Sequence, residues 1–252
     1  MKIILSPSKL QKNELVETMQ TKSAFDKGKA QHLKDLISSL TYEELGRLYK
    51  IKGKLLDQTF DNFHSKEKQC GHVIASYNGI VFNEINWRSY DPVQTQYLVD
   101  HLVVLSAMYG VLEPNSLIEP YRLDMTTRPS GINLYEYWQE QVDRYFSTEN
   151  LIINLASVEF SRMLKNHKKK MLNIHFKEEQ SDGKLKIVTV HAKQARGLMV
   201  DYLVSHCINN PEEIKKFSEA GYAFSQSLSS SEDFVFIKPF ESYASAVQMS
   251  NR

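Results

Sequence analysis

Lys193 and Arg196 stand three residues apart in "HAKQARGLMVDYL" (191–203), followed at once by Gly197 and an apolar run. The β-branched stretch "LKIVTV" (185–190) leads into them, so the pattern predicts a strand that turns into a helix, with two cations and a helix-weakening glycine at the junction. Cations there suit an anion site, because the free N–H groups of a helix's first turn attract phosphate or carboxylate. A solvated helix start would use the same residues.

Three other segments, "IILSPSK", "VVLSAMYG" and "IINLASVEF", each run from apolar residues into a small polar one: Ser6, Ser106 and Ser157. If these strands are parallel neighbours, their carboxyl ends open on one sheet edge, where α/β proteins place ligands. Lys9, Tyr109, Asn154 and Glu159 would then ring one cleft, with Lys193 and Arg196 joining from the strand–helix junction. Serine at a strand end also caps helices, which explains the pattern without any ligand. In the cleft reading Glu159 is the candidate proton acceptor or donor, and Ser157 and Lys9 are the other catalytic candidates. The substrate class is then a small anion of nucleotide or nucleobase type. "MYGVLEPNSLIEPYRLDM" (108–125) has the composition of an ordered loop. There Tyr121 could stack on a planar anionic ligand and Arg122 pair with it, or Arg122 could close a structural ion pair with Glu119 or Asp124.

The segment "SSLTYEELGRLYKIKGKLLDQTF" (38–60) forms two amphipathic helices around a short basic turn, with Arg47, Lys50, Lys52 and Lys54 supplying charge. That outline is like a helix-hairpin-helix, which holds DNA phosphates without reading bases. An ordinary helical hairpin fits as well, since of the usual Gly-x-Gly only Gly53 is present. "KNHKKK" adds a second basic cluster, Lys165 and Lys168–Lys170. No HExxH spacing, nucleophile elbow, Walker A sequence or GxGxxG occurs, so no metal site and no cofactor is expected.

The elements that must position these residues follow from periodicity and caps. "KIIL" (2–5), "HVIAS" (72–76), "LVVLS" (102–106), "LIINLAS" (151–157) and "DFVFIK" (233–238) read as strands, and "MLNIHF" with "KLKIVTV" as a hairpin around Asp182-Gly183. Thr41 with Glu44 forms a capping box, Asp91-Pro92 starts a helix, and Asn133 with Glu136 caps "LYEYWQEQVDRYF". The expected architecture is a single mixed α/β (α+β) domain over 1–252, with a mixed sheet flanked by helices. Residues 30–65 make a helical lobe, and 241–252 a loose tail. A formal net charge of +1 means any attraction to nucleic acid must be local. Two separated cysteines, Cys70 and Cys207, argue against a disulfide framework and for a reducing cytoplasm. No apolar run approaches the length of a signal peptide or a membrane span.

"LSPSK", "HLVVLSAMYGVLEPNSLIEPYRLDM", "NLYEYW", "INLASVEF" and "HAKQARGLM" occur in the order and spacing of the YaaA family of peroxide-stress-resistance proteins, which the chain resembles from its first strand to the "GYAF" segment at 221–224. The resemblance implies a cytoplasmic bacterial protein that limits hydrogen peroxide damage, partly by keeping unincorporated iron low. It also implies a family-specific α/β fold whose helix-hairpin-helix-like element and basic cleft bind duplex DNA. Lys193 and Arg196 would line that cleft. Two departures stand out: the "IKGK" turn lacks the fuller glycine pattern, and Ser8 replaces an expected alanine. Non-specific DNA binding is therefore the leading expectation, an enzyme on a small anion the rival, and direct iron binding the last choice.

Overall fold

The structure is a computed structural model that describes residues 1–17, 19–22, 26–65 and 69–240. Its strands are β1 (Lys2–Leu5), β2 (Gly71–His72), β3 (Leu102–Ser106), β4 (Gly110–Leu112), β5 (Leu117–Ile118), β6 (Ile152–Asn154), β7 (Met171–Glu179), β8 (Leu185–Lys186), β9 (Ala223–Phe224) and β10 (Asp233–Lys238). The α-helices are α1 (Lys27–Ser38), α2 (Tyr42–Tyr49), α3 (Lys54–His64), α4 (Val73–Ser76), α5 (Ile80–Asn83), α6 (Pro92–His101), α7 (Leu134–Phe146), α8 (Val158–Ser161) and α9 (Thr189–Ser205).

Among the described residues an eight-stranded sheet runs β4-β3-β1-β6-β7-β10-β9, with β8 paired to the far end of β7. The strands from β3 to β10 in that order are parallel, and β4, β8 and β9 pair antiparallel. Ile4 of β1 lies opposite Val103 of β3 on one side and Asn154 of β6 on the other. Parallel strands covered on both faces read as unbroken apolar runs, and every residue of β3 is buried. The sheet is the mixed α/β architecture expected, and α1–α3 form the helical lobe. No helix among the described residues is long and apolar enough to cross a membrane.

Local chemistry sets most boundaries. The Thr41–Glu44 capping box is present, and Asp91 with Pro92 starts α6, where Gln94 completes a second box. Asn133 accepts the Tyr135 N–H at the start of α7, which sends Leu134, Trp138 and Phe146 into the core. The β7–β8 turn needs Gly183, whose φ is 75°.

Four expectations change. "HVIAS" is a two-residue strand followed by a one-turn helix, because the Val73 and Ile74 N–H groups go to the Ser116 and Pro114 carbonyls instead of a sheet neighbour. The 108–125 segment carries β4 and β5. The strand expected over 151–157 stops at Asn154. The strand expected over 184–190 stops at Lys186, and α9 begins at Thr189. A buried stripe of Ala192, Ala195, Met199, Val200, Leu203 and Val204 has helical spacing, and its packing overrides the β-branched residues before it. The tail at 241–252 lies outside the described residues.

Gly197 is a packing residue. A Cβ there would lie 2.7 Å from Glu84 Cβ and closer still to the Val81 carbonyl oxygen, so the α9 backbone rests against the backbone of α5. Gly197→Ala is expected to lower stability by about 1–3 kcal/mol in a denaturant titration. A loss under about 0.5 kcal/mol would mean that α5 yields freely to α9.

Candidate functional site at the strand edge

Because β1, β3 and β6 run parallel, Ser6, Ser106 and Ser157 emerge at one edge of the sheet. Ser6 Oγ accepts the Ser157 N–H at 2.8 Å and donates to Ser157 Oγ at 3.1 Å, tying the ends of β1 and β6. Ser106 Oγ accepts the Met108 and Tyr109 N–H groups at 3.2 and 3.1 Å, turning β3 into β4. It is also hydrogen-bonded to the Tyr121 hydroxyl at 2.8 Å, which meets the Tyr77 hydroxyl at 2.7 Å. Burial, helped by the Asp124 charge, pushes the Tyr121 phenol up to about 12, against the lowering effect of its hydrogen bonds to Ser106 and Tyr77. No carboxylate, imidazole or amine is hydrogen-bonded to any of the three serines among the described residues, so none has the base that a nucleophile needs.

Beside the serines, a notch of about 50 Å³ is lined by Pro7, Ser8, Lys9, Gln11, Tyr121, Arg122, Leu123, Asp124, Glu159 and Phe160. Lys9 is exposed and pairs with Asp124 at 2.8 Å. Gln11 clamps the Tyr121 backbone, donating to its carbonyl at 3.1 Å and accepting its N–H at 3.0 Å. Glu159 Oε1 accepts the Met125 N–H at 3.0 Å, and the Glu159 carbonyl accepts the Tyr135 hydroxyl at 2.9 Å. Asn154 is committed as well, donating to Asn173 and accepting the Ala156 N–H.

Two readings of 108–125 are corrected. The Tyr121 ring is only 4% exposed and stands edge-on to Tyr109, so it is a core residue that walls the neighbouring hollows and does not stand free to stack a ligand. Arg122 pairs with neither suggested carboxylate: Glu119 holds Lys34 at 2.6 Å, and Asp124 holds Lys9. Its half-buried guanidinium makes no hydrogen bond or ion pair among the described residues.

Lys193 and Arg196 lie in the second and third turns of α9, well past its first N–H groups, so the helix-start anion site does not form. Lys193 is exposed, whereas Arg196 is half-buried within the helix's apolar stripe. Burial draws the Arg196 pKa down, and its buried Nε has no hydrogen-bond partner among the described residues. The helix α5 lies between this part of α9 and the edge: it packs on Gly197 at one point, and Gly79 just before it abuts the Ser8 side chain.

In the lobe, Arg47, Lys50, Lys52 and Lys54 are all exposed. Lys50 ends α2 in the left-handed region (φ 54°), and Gly53 starts α3 at φ 58°, a position open on all sides. The Gly-x-Gly pattern is thus replaced by a left-handed lysine followed by one glycine. No side chain caps α3. The buried Tyr49 hydroxyl donates to the Arg122 carbonyl, which fixes the basic turn beside the notch. Tyr49, Tyr77 and Gln11 were not singled out in the sequence. Their apolar or loop settings carry no local sign of partners 73, 44 and 110 residues away.

Fold and edge together define a class: mixed α/β proteins whose parallel strands end on one polar edge beside a helical hairpin with a basic turn. Sequence comparison narrows it. The family model described as peroxide stress protein YaaA matches residues 1–228. A UPF0246 protein from Fusobacterium nucleatum is 36% identical over 247 residues, covering 94% of this chain and 99% of its own. One from Rickettsia rickettsii (strain Iowa) is 38% identical over 213 residues, covering 80% and 85%. One from Acaryochloris marina is 33% identical over 252 residues, covering 94% and 100%. The chain belongs to the YaaA family of peroxide stress proteins.

The Glu159 geometry sets a test. Glu159→Gln keeps an acceptor for Met125 and is expected to stay within about 0.5 kcal/mol of the parent. Glu159→Ala leaves the Met125 N–H without its partner and is expected to cost about 1–3 kcal/mol, read by chemical denaturation. Equal losses in both variants would show that the bond to Met125 is not what Glu159 contributes.

Proposed function

We propose that the protein limits peroxide damage as a duplex-DNA-binding stress protein, with the turn at Lys50–Lys54 as its main phosphate-binding element, and that it helps keep unincorporated iron low. One observation carries the DNA reading: the uncapped α3 start is surrounded by four exposed cations, none with an ion pair among the described residues. An unneutralised basic turn beside free helix N–H groups suits a phosphate. The acid in that first turn, Asp57, is turned toward the Tyr42 hydroxyl at 2.5 Å. Arg122, tied to the hairpin through Tyr49, extends the basic surface toward the strand edge. Interactions of this kind hold the backbone without reading bases, so affinity falls with salt and varies little with sequence. Lys165 and Lys168–Lys170, on the 3-10 segment Arg162–Lys170, are a separate basic surface.

A second reading draws on Arg122, whose half-buried guanidinium, without a hydrogen bond or ion pair among the described residues, favours a small anionic ligand near the edge. Buried cations without counter-charges are costly, and a bound anion would offset that. If that ligand is turned over with Glu159 moving a proton, Glu159→Gln should lose peroxide protection while keeping its fold and its DNA affinity.

For the DNA reading, the triple variant Lys50→Glu, Lys52→Glu, Lys54→Glu is expected to bind duplex DNA more weakly. Its log–log salt slope should fall by about 0.9 for each phosphate left without its cation. An unchanged slope in the same titration would move the DNA surface away from the hairpin.

A further inference from the structure

A cavity of about 340 Å³ opens where the helical lobe meets the sheet, away from the basic turn and separate from the notch. Most of its wall is carbon: Ala30, Phe63, Met108, Leu117, Pro120 and the Tyr109 ring. The Tyr109 hydroxyl is already used, accepting the Glu119 N–H at 3.1 Å. The Lys34–Glu119 pair crosses the seam at 2.6 Å. Two lining groups have spare capacity. The Asn62 carboxamide and the exposed Lys27 ammonium make no hydrogen bond or ion pair among the described residues. Lys27 and Lys34 against Glu119 leave one positive charge in excess.

We propose that this cavity is a ligand site for a compact aromatic molecule carrying an anionic group, with the ring between the apolar walls, Asn62 on its polar edge and Lys27 on the anion. The volume lies at the lower end for small-molecule sites, which admits one ring system with a short arm and excludes a dinucleotide. Flat apolar walls select a ring, and an asparagine side chain can pair two adjacent ring atoms, as it does on the adenine edge. A nucleoside monophosphate and an aryl carboxylate share this chemistry.

Cys70 lines the cavity, and Cys207 follows α9 and is no part of its lining, so the chain holds its own reporter and its own control. Burial, then the Glu119 charge, pushes the Cys70 thiol up, so alkylation is run at mildly alkaline pH. The full-length protein is treated with iodoacetamide in the presence of AMP, 4-hydroxybenzoate or inorganic phosphate, and each cysteine is followed by peptide mass spectrometry. The expected result is that a saturating ring probe slows Cys70 alkylation about tenfold or more, while Cys207 is unchanged and phosphate alone has no effect. Protection by AMP assigns a nucleotide, and protection by 4-hydroxybenzoate alone assigns an aryl acid. Asn62→Leu, a half-exposed position that should fold normally, is expected to raise the half-protecting concentration about tenfold, and Leu117→Trp to abolish protection by filling the space. The proposal is overturned if neither ring probe slows Cys70, if Cys207 is protected equally, or if protection persists in a folded Leu117→Trp protein.

Discussion

Four residues, Lys2–Leu5, hydrogen-bonded in parallel register to β3 on one side and β6 on the other, are the constraint on which the rest depends. Ile3 and Ile4 have no solvent exposure, and burying such side chains is worth about 1.5–3 kcal/mol each. A strand this short gains its place only by being covered on both faces and paired on both edges. Once placed, it brings three strand ends to one level. Each of those ends must then satisfy polar groups in a partly buried setting, which explains a serine at every one. The pairs Ser6–Ser157 and Ser106–Tyr121 are the solution the chain adopts. The edge is therefore polar first because the backbone there has to be closed, and a place for a ligand only after that.

That order explains what could be read in advance. The shared serine edge was legible because apolar runs ending in Ser report buried strands, and a common ending implies a common edge. The capping box at Thr41 was legible because its partner lies three residues away, and the helix start at Asp91 because Pro92 follows it. Tyr121 was misread for the opposite reason: its hydroxyl partners are Ser106 and Tyr77, and nothing in "EPYRLD" says that the ring turns inward. Lys193 and Arg196 were placed at the very start of α9, one to two turns too early, because β-branched residues precede it. Val188 is extended as its type suggests, but among the described residues no strand pairs with it, so the helix begins earlier than propensity predicts. β10 lies beyond the residues matched by the family model, yet it was legible from "DFVFIK" and pairs with β7 over six positions.

The hairpin owes its position to the body. α2 is eight residues long and α3 eleven, lengths that are marginal for isolated helices. Leu45, Leu56 and Phe63 are buried, and the Tyr42 and Phe60 rings meet edge-on. The Tyr49–Arg122 bond then fixes the direction in which the basic turn points. A turn proposed to hold DNA phosphates needs such a fixed bearing, since phosphate interactions give register only when the donors are held rigidly relative to one another.

One stretch, Glu119–Asp124, meets the cavity, the notch and the helical hairpin. Glu119 pairs with Lys34 across the cavity, Tyr121 forms a wall of both cavity and notch, the Arg122 carbonyl receives the hairpin's tyrosine, and Asp124 holds Lys9. Gln11 grips the middle of that stretch by both its N–H and its carbonyl, so it cannot slide without breaking two bonds at once. An occupant of the cavity would press on Tyr121 and Pro120, while DNA on the hairpin would load the Arg122 carbonyl through Tyr49. Coupling between the two would then depend on whether either ligand favours a different setting of this one segment, because a ligand shifts an equilibrium only by its difference in affinity for the two states. With Tyr121 bonded to Ser106 at the end of β3, the segment is anchored to the same strand edge that β1 defines. A change of setting would therefore have to begin at the Ser106–Tyr121–Tyr77 hydroxyl chain, where the segment's hold on the sheet is made of rotatable protons.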